Sequence, residues 1–220
     1  PLMAFVSQTR MVANAWLRPG NTAASSNCKA FMEETFKEAL KGKEVGLVRA
    51  DSGFYNEEIM SYLEEEQLNY ILAVRMYPNV KSEVWGLKDW VSLTKGIELN
   101  EMKFTHKGGK IRRYIIVRKQ VAIRPDATGK QLFEDEPGYR YSCYVTNMEL
   151  PLDQIWNMYN TRADCENRIK ELKNDFGLEN FCLHDFWATE ASFRWIMVAY
   201  NLTSLFRQFA LNHHRRATLS

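Results

Sequence analysis

The sequence predicts an α/β protein in which a mixed sheet is flanked by helices. Short apolar runs alternate with helical patterns over residues 1–76, as strands and helices do when they follow one another along the chain. Residues 77–146 are rich in β-formers and turn residues, and residues 147–220 carry two long helical patterns. With 220 residues, 45% of them apolar, the chain can bury a substantial core.

The first 44 residues predict two strands and a helix. Residues 3–7 and 11–17 are short apolar runs, and a Pro-Gly-Asn turn at 19–21 closes the second. Residues 28–41 repeat apolar side chains on one helical face, and Gly42 then ends the helix.

Two buried strands and a capped helix follow. Residues 45–50 form a short apolar run directly before an Asp-Ser-Gly turn, and residues 70–74 form another. Between them, Asn56 is placed to cap a helix that has Glu57 and Glu58 in its first turn.

The β-rich stretch is expected to contain a basic hairpin. The runs 102–106 and 112–117 flank Lys-Gly-Gly-Lys at 107–110, and residues 139–145 read as a further strand. The hairpin's cations could follow DNA phosphates, or they could simply protect an edge strand from aggregation. They are Lys103, Lys107, Lys110, Arg112, Arg113, Arg118 and Lys119.

Four polar residues define the most informative pattern. One helix is predicted from about residue 151 to 175 and a final apolar-faced helix from 189 to 211, which should pack across the sheet. Along the first helix, Tyr159, Arg162, Glu166 and Lys173 are spaced so that they project within about 60° of arc. A carboxylate flanked by two cations and a phenol suits holding a metal ion beside a phosphate.

An ordinary solvated face is the alternative, since Arg162 and Glu166 also form a common i,i+4 pair. The neighbouring strip is apolar and should face the core; it comprises Met158, Cys165, Ile169, Leu172 and Phe176. The fully exposed positions are expected to be Asn160, Asp164, Asn167, Arg168 and Glu171.

The spacing Tyr-(2)-Arg-(3)-Glu-(6)-Lys from Tyr159 to Lys173 resembles the signature helix of DDE-type insertion-sequence transposases. These cut-and-paste enzymes have a ribonuclease H-like catalytic domain. Residues 48–55 resemble the segment that carries the family's second catalytic Asp, and residues 17–22 are also similar. The long gap between Asp51 and Glu166 matches the position where several members insert a β-rich subdomain.

The resemblance implies a domain organisation and a chemistry. Residues 1–76 and 147–220 would form the ribonuclease H-like core, and 77–146 a β-rich insertion before the catalytic helix. The implied activity is metal-dependent endonuclease cleavage and strand transfer during DNA transposition, on transposon ends and target DNA. Asp51 and Glu166 would be catalytic and would bind Mg²⁺, with Mn²⁺ as the alternative ion. The implied DNA contacts are Tyr159, Arg162 and Lys173, with Arg49 and Lys170 as weaker ones.

One departure from the family pattern concerns the first catalytic Asp. No aspartate precedes Asp51, and residues 1–7 resemble the family's second strand, so the first core strand is expected to be missing. Alone, the chain would then not cleave DNA. Three readings stay open: the catalytic part of a transposase, a catalytically dead DNA-binding remnant, and an unrelated α/β domain with a salt-bridged helix.

Net charge, cysteine and histidine spacing and hydropathy bear on which other classes of protein the chain could belong to. The net charge of +2 does not by itself indicate a nucleic-acid binder. The four cysteines and four histidines lack zinc-ligand spacing, and the cysteines are expected to be reduced and buried, as in a cytosolic protein. No apolar run approaches the ~20 residues of a membrane span. The resemblance implies a bacterial, nucleoid-associated cytoplasmic enzyme that commonly works as a homodimer.

Overall fold

The computed structural model of the chain describes residues 1–22, 26–106, 109–121 and 138–210. The strands are β1 Leu2–Val6, β2 Met11–Trp16, β3 Val48–Ala50, β4 Tyr70–Ala73, β5 Val91–Thr94, β6 Ile97–Thr105, β7 Ile111–Gln120 and β8 Tyr139–Thr146. The helices are α1 Cys28–Glu34, continued by a π-helical turn Thr35–Ala39, α2 Glu57–Glu65, α3 Pro78–Trp85, α4 Leu152–Asn160, α5 Ala163–Asn174 and α6 Phe186–Phe209.

The chain divides into two compact units. Unit 1 consists of Pro1–Glu44 together with Thr161–Ser220, and unit 2 is the continuous stretch Val45–Asn160. Each has its own cluster of buried apolar side chains.

Unit 2 is built on a six-stranded sheet in the order β3-β4-β8-β7-β6-β5. The strands β3 and β4 are parallel, and every other neighbouring pair is antiparallel. Strand β4 is buried because it lies between β3 and β8, and its Ile71 and Leu72 are fully shielded. The predicted α/β class, with a mixed sheet and flanking helices, is confirmed.

Helices cover both faces of this sheet. On one face, Ile155 of α4 packs against Ile71, Leu99 and Ile115. On the other, Tyr55, just before α2, bonds the hydroxyl of Tyr114 in β7 at 3.0 Å. Strand β7 therefore has successive side chains buried in opposite directions, which explains its run of shielded residues.

Unit 1 combines the antiparallel β1–β2 pair with α1, α5 and α6. Phe193, Met197 and Tyr200 of α6 cluster with Val12 of β2. The Asn201 side-chain amide bonds both backbone groups of Val12, accepting at 2.8 Å and donating at 2.9 Å. These two bonds fix α6 on β2.

Two predicted elements differ from the structure. A helix, α3, occupies part of the stretch expected to be β-like; Pro78 begins it, and Val80 and Val84 are buried one turn apart. The helix predicted over residues 151–175 is two helices, since a turn at 161–162 separates α4 from α5. The four-residue strip therefore does not lie on one continuous helix.

The predicted insertion, residues 77–146, contributes β5–β8 to the same sheet as β3 and β4. The compact units divide the chain elsewhere, at 44/45 and 160/161. The assignment of 1–76 and 147–220 to a core with 77–146 inserted stays a prediction.

The cysteines are all free thiols, as expected. Cys28 and Cys143 are buried, and burial raises the pKa of the Cys143 thiol above its usual range. Cys182 is exposed, so the expectation that all four would be buried was wrong. Among the helices of the described residues, none has the length and apolarity needed to cross a membrane.

Candidate active site

Asp51 directly follows β3 and is exposed. Its Oδ1 accepts a hydrogen bond of 2.8 Å from the Gly53 backbone N–H, and its backbone carbonyl accepts one from Phe54. This is an Asx turn, which the sequence Asp-Ser-Gly favours. The turn fixes the carboxylate at the tip of a strand while leaving it open to solvent.

Two other predicted site residues lie at the same strand end. The Tyr159 hydroxyl is 3.5 Å from the Ala50 carbonyl, and its ring packs on Tyr144 with centroids 4.3 Å apart. Arg49 donates to the Met158 carbonyl at 2.6 Å. The last turn of α4 is thereby tied to β3, and Arg49, Asp51 and Tyr159 form one cluster in unit 2.

The second predicted carboxylate lies in the first turn of α5. Arg162 is the residue before the helix, and its Nη1 is 3.2 Å from Glu166 Oε1. The Glu166 side chain is 62% exposed and that of Arg162 only 17%. The pairing of these two side chains is the local arrangement that the i,i+4 spacing predicts.

The remaining two cations lie further along α5. Lys173 pairs with Glu179, just beyond the helix, and Lys170 is exposed. Arg162, Glu166, Lys170 and Lys173 thus share one short segment of unit 1. Since Asp51 belongs to unit 2, the convergence of its carboxylate with Glu166 stays a prediction.

Sequence reasoning placed Arg168 and Glu171 on the solvent side of the helix, and both are buried. Arg168 bonds Asp164 at 2.6 Å, and Glu171 pairs with Arg207 of α6. Helix α6 covers this side of α5, so these charges face protein instead of water. Burial opposes the charged form of Arg168, but its bond to Asp164 outweighs this and raises its pKa.

The two predicted metal ligands are carboxylates, the type of side chain that binds a divalent cation, but a group of three such ligands is not found among the described residues. Carboxylate oxygens are the ligands that Mg²⁺ prefers, and both Asp51 and Glu166 present them at exposed positions. Over the part of the chain that the structure describes, no three Asp, Glu, His or Cys side chains are grouped so as to hold a metal ion.

Most of the basic side chains of the hairpin form ion pairs with glutamates of the same chain. Arg112 is buried, with Nη1 at 2.7 Å from Glu57 and Nε at 2.6 Å from Glu64. Burial raises the pKa of each glutamate, but the hydrogen bonds from Arg112 outweigh it and hold both values below the usual range. The signal in the sequence was the period-two pattern of β7: Arg112 lies two residues before the buried Tyr114, so the two side chains project from the same face of the strand.

The other arginines of the hairpin also have carboxylate partners. Arg113 bonds Glu101 at 2.7 Å, and Arg118 bonds Glu98 at 2.6 Å while stacking over Trp90. Lys107 lies outside the described residues. The exposed cations of the hairpin are Lys103, Lys110 and Lys119.

Comparison with known proteins gives one clear result. The family model described as transposase DDE domain, group 1, matches residues 1–220. No curated protein matches the chain significantly. The mixed α/β architecture with its six-stranded sheet is compatible with the ribonuclease H-like fold of such domains. A match over the whole length shows that this chain belongs to the family of DDE transposase domains, group 1.

Proposed function

We propose that this chain is the catalytic part of a transposase and acts in metal-dependent cleavage and strand transfer of DNA at transposon ends. The whole-chain family match carries the proposal, because it assigns a transposase role. The exposed carboxylates at the tip of β3 and on the first turn of α5 support it, since phosphoryl transfer on DNA requires acidic metal ligands.

In this proposal, Asp51 and Glu166 hold divalent ions, Mg²⁺ or Mn²⁺. When bound, such ions activate the attacking oxygen and stabilise the leaving oxygen in an in-line displacement. Tyr159 and Arg49 keep the end of α4 against β3 and so position Asp51. The tie to the Met158 carbonyl makes Arg49 the weaker candidate for a DNA contact.

Arg162, which precedes α5, and the lysines of α5 bind the DNA backbone in this proposal. The Arg162 guanidinium offers a planar fork for a phosphate and orients Glu166, while Lys173 supplies a point charge. Lys170, exposed on the same helix, adds to this positive surface.

Charge reversal of Lys173 tests the DNA contact. We expect Lys173→Glu to weaken binding of a labelled duplex and to reduce the slope of log affinity against log salt by about 1. The measurement is fluorescence anisotropy across a salt series. Lys37→Glu is the matched control, because Lys37 is an exposed lysine elsewhere in unit 1 and the change in net charge is the same. Equal loss in both variants would show that Lys173 makes no specific contact with the DNA backbone.

Cleavage tests the catalytic part. The 220 residues supply two of the three family carboxylates, so we expect no Mg²⁺-dependent nicking of supercoiled plasmid by this chain alone. Nicking that is lost in Glu166→Gln would contradict this expectation and would show a complete site.

The second candidate function is a catalytically dead DNA-binding remnant. It is favoured by the absence of any aspartate before Asp51 in these residues. Adding an N-terminal strand that carries an Asp separates the two candidates, because only a catalytic part would gain Mg²⁺-dependent cleavage. Loss of that cleavage in Asp51→Asn would assign the second carboxylate.

A further inference from the structure

Lys173, a proposed DNA contact, is already paired with a carboxylate of its own chain. It lies in the last turn of α5, and its ammonium group forms an ion pair with Glu179, which lies beyond the end of that helix. Both side chains reach solvent, since 40% of the lysine side chain and 62% of the glutamate side chain are exposed. A phosphate that approaches Lys173 therefore meets the carboxylate as well.

The pairing does not follow from helical spacing. Along a continuous helix, six positions correspond to about 600° of rotation, so residues 173 and 179 would project about 120° apart on the helix surface. The two side chains meet because the chain changes direction after α5. The contact is therefore a feature of the turn that ends the helix.

That turn is held by backbone bonds and by packing. Gly177 has a φ of +68°, the left-handed conformation that glycine favours after a helix. The next residue, Leu178, is buried in the core of unit 1, and its N–H donates to the Leu172 carbonyl at 3.0 Å. The backbone on either side of Glu179 is thus fixed, and it holds this carboxylate beside Lys173.

Helix stability does not explain the position of Glu179. The free carbonyls at the C-terminal end of a helix carry partial negative charge, which disfavours a nearby carboxylate. An exposed ion pair also adds little to the stability of a fold. The main consequence of the pair is that Lys173 has an anionic partner when DNA is absent.

We propose that Glu179 competes with DNA for Lys173, as an internal carboxylate that a backbone phosphate must displace. The inference rests on the proposed function, because it assumes that Lys173 contacts the DNA backbone. The lysine ammonium is a compact charge, and carboxylate and phosphate oxygens bind it in the same way. After displacement, the released carboxylate repels the phosphate, so both effects weaken DNA binding.

The competition is reversible. An exposed ion pair is weak, whereas a lysine that binds duplex DNA releases condensed counterions and gains affinity at low salt. DNA can therefore displace Glu179, but it does so less readily as the salt concentration rises. Glu179 thereby lowers the salt concentration at which the chain releases DNA.

Fluorescence anisotropy with a labelled duplex of random sequence tests the competition at about 0.15 M salt. We expect Glu179→Gln to lower the dissociation constant about 2- to 5-fold, the range that one exposed ion pair accounts for. Asp175→Asn is the matched control, because Asp175 is an exposed carboxylate at the C-cap of the same helix and the change in charge is the same. It should change the dissociation constant by less than about 1.5-fold, since salt screens exposed charges that are not in contact.

A double-mutant cycle shows whether the effect acts through Lys173. In a chain that carries Lys173→Met, Glu179→Gln should leave the dissociation constant unchanged. The same tightening in that background would overturn the inference, because it would show general repulsion of DNA by the glutamate. A Glu179→Gln variant that binds no more tightly than Asp175→Asn overturns it too. Far-UV circular dichroism checks that each variant is folded.

The same variants separate this inference from the proposed function. Lys173→Met alone should weaken DNA binding. If it does so and Glu179→Gln has no effect, the competition is wrong and the proposed DNA contact stands. If Lys173→Met leaves the affinity unchanged, the contact itself is wrong, and the inference is overturned with it.

Discussion

Arg112, which the sequence suggested as a possible DNA contact, stabilises the fold through buried ion pairs. Its side chain is 3% exposed, and it bonds Glu57 and Glu64 of α2 from strand β7. Removing it would leave two carboxylates in a partly buried site without their main partner. We expect Arg112→Met to lower the free energy of unfolding by about 2–3 kcal/mol, measured by urea denaturation.

An exposed lysine on the neighbouring strand is the control for that change. Lys103 lies on β6 at an exposed position, so Lys103→Met should alter the free energy of unfolding by no more than about 0.5 kcal/mol. A similar loss in both variants would show that the hairpin, and not the buried ion pairs, is sensitive to charge.

The same cluster predicts a dependence of stability on pH. Glu57 and Glu64 have folded-state pKa values below the ordinary value of 4.5, since hydrogen bonds from Arg112 outweigh the effect of burial. Their stabilisation is therefore complete above about pH 4.5 and is lost as the pH falls through the lowered values. Urea titrations from pH 7 to pH 3 should show this loss in the wild type and a shallower one in Arg112→Met.

At the scale of elements, helix α2 depends on a cap that the sequence predicts. Asn56 accepts a hydrogen bond from the Ile59 N–H at 2.8 Å. We expect Asn56→Ala to cost about 1 kcal/mol of unfolding free energy, and Asn56→Ser or Asn56→Asp to retain most of it. Equal destabilisation by all three substitutions in thermal melts would contradict a capping role.

Elements with a local signal were predicted well. The Asn56 cap marks the start of α2, and the two runs around the glycines at 108–109 became the antiparallel strands β6 and β7. In both cases a few adjacent residues carry the information, through side-chain bonds to the backbone or through turn chemistry.

Elements without such a signal were missed. Helix α3 has few apolar residues, and only Val80 and Val84 mark its buried side. The burial of Arg168 and Glu171 depends on α6, which follows α5 by more than ten residues. A helical wheel shows which side chains share a face, but the packing partner decides which face is covered.

The candidate site, too, was predictable only where local sequence determines the structure. Asp51 at the tip of β3 and the Arg162–Glu166 pair both follow from local sequence. The division of these residues between the two units does not, since it depends on contacts over the whole chain. The turn at 161–162 separates Tyr159 from the other signature residues. It was not predicted either, because the spacing of these residues also fits a single helix.

At the scale of the whole molecule, the order of the two units along the chain matters. Unit 1 is assembled from two pieces of chain that are separated by the 116 residues from 45 to 160. On a ribosome adding about 5–20 residues per second, β1 and β2 emerge roughly 6 to 23 s before α5 and α6 begin to be made. An isolated pair of strands is only marginally stable in water. During that interval, the continuous stretch of unit 2 can complete its sheet first, and the early hairpin must wait for α6 before its apolar side is covered.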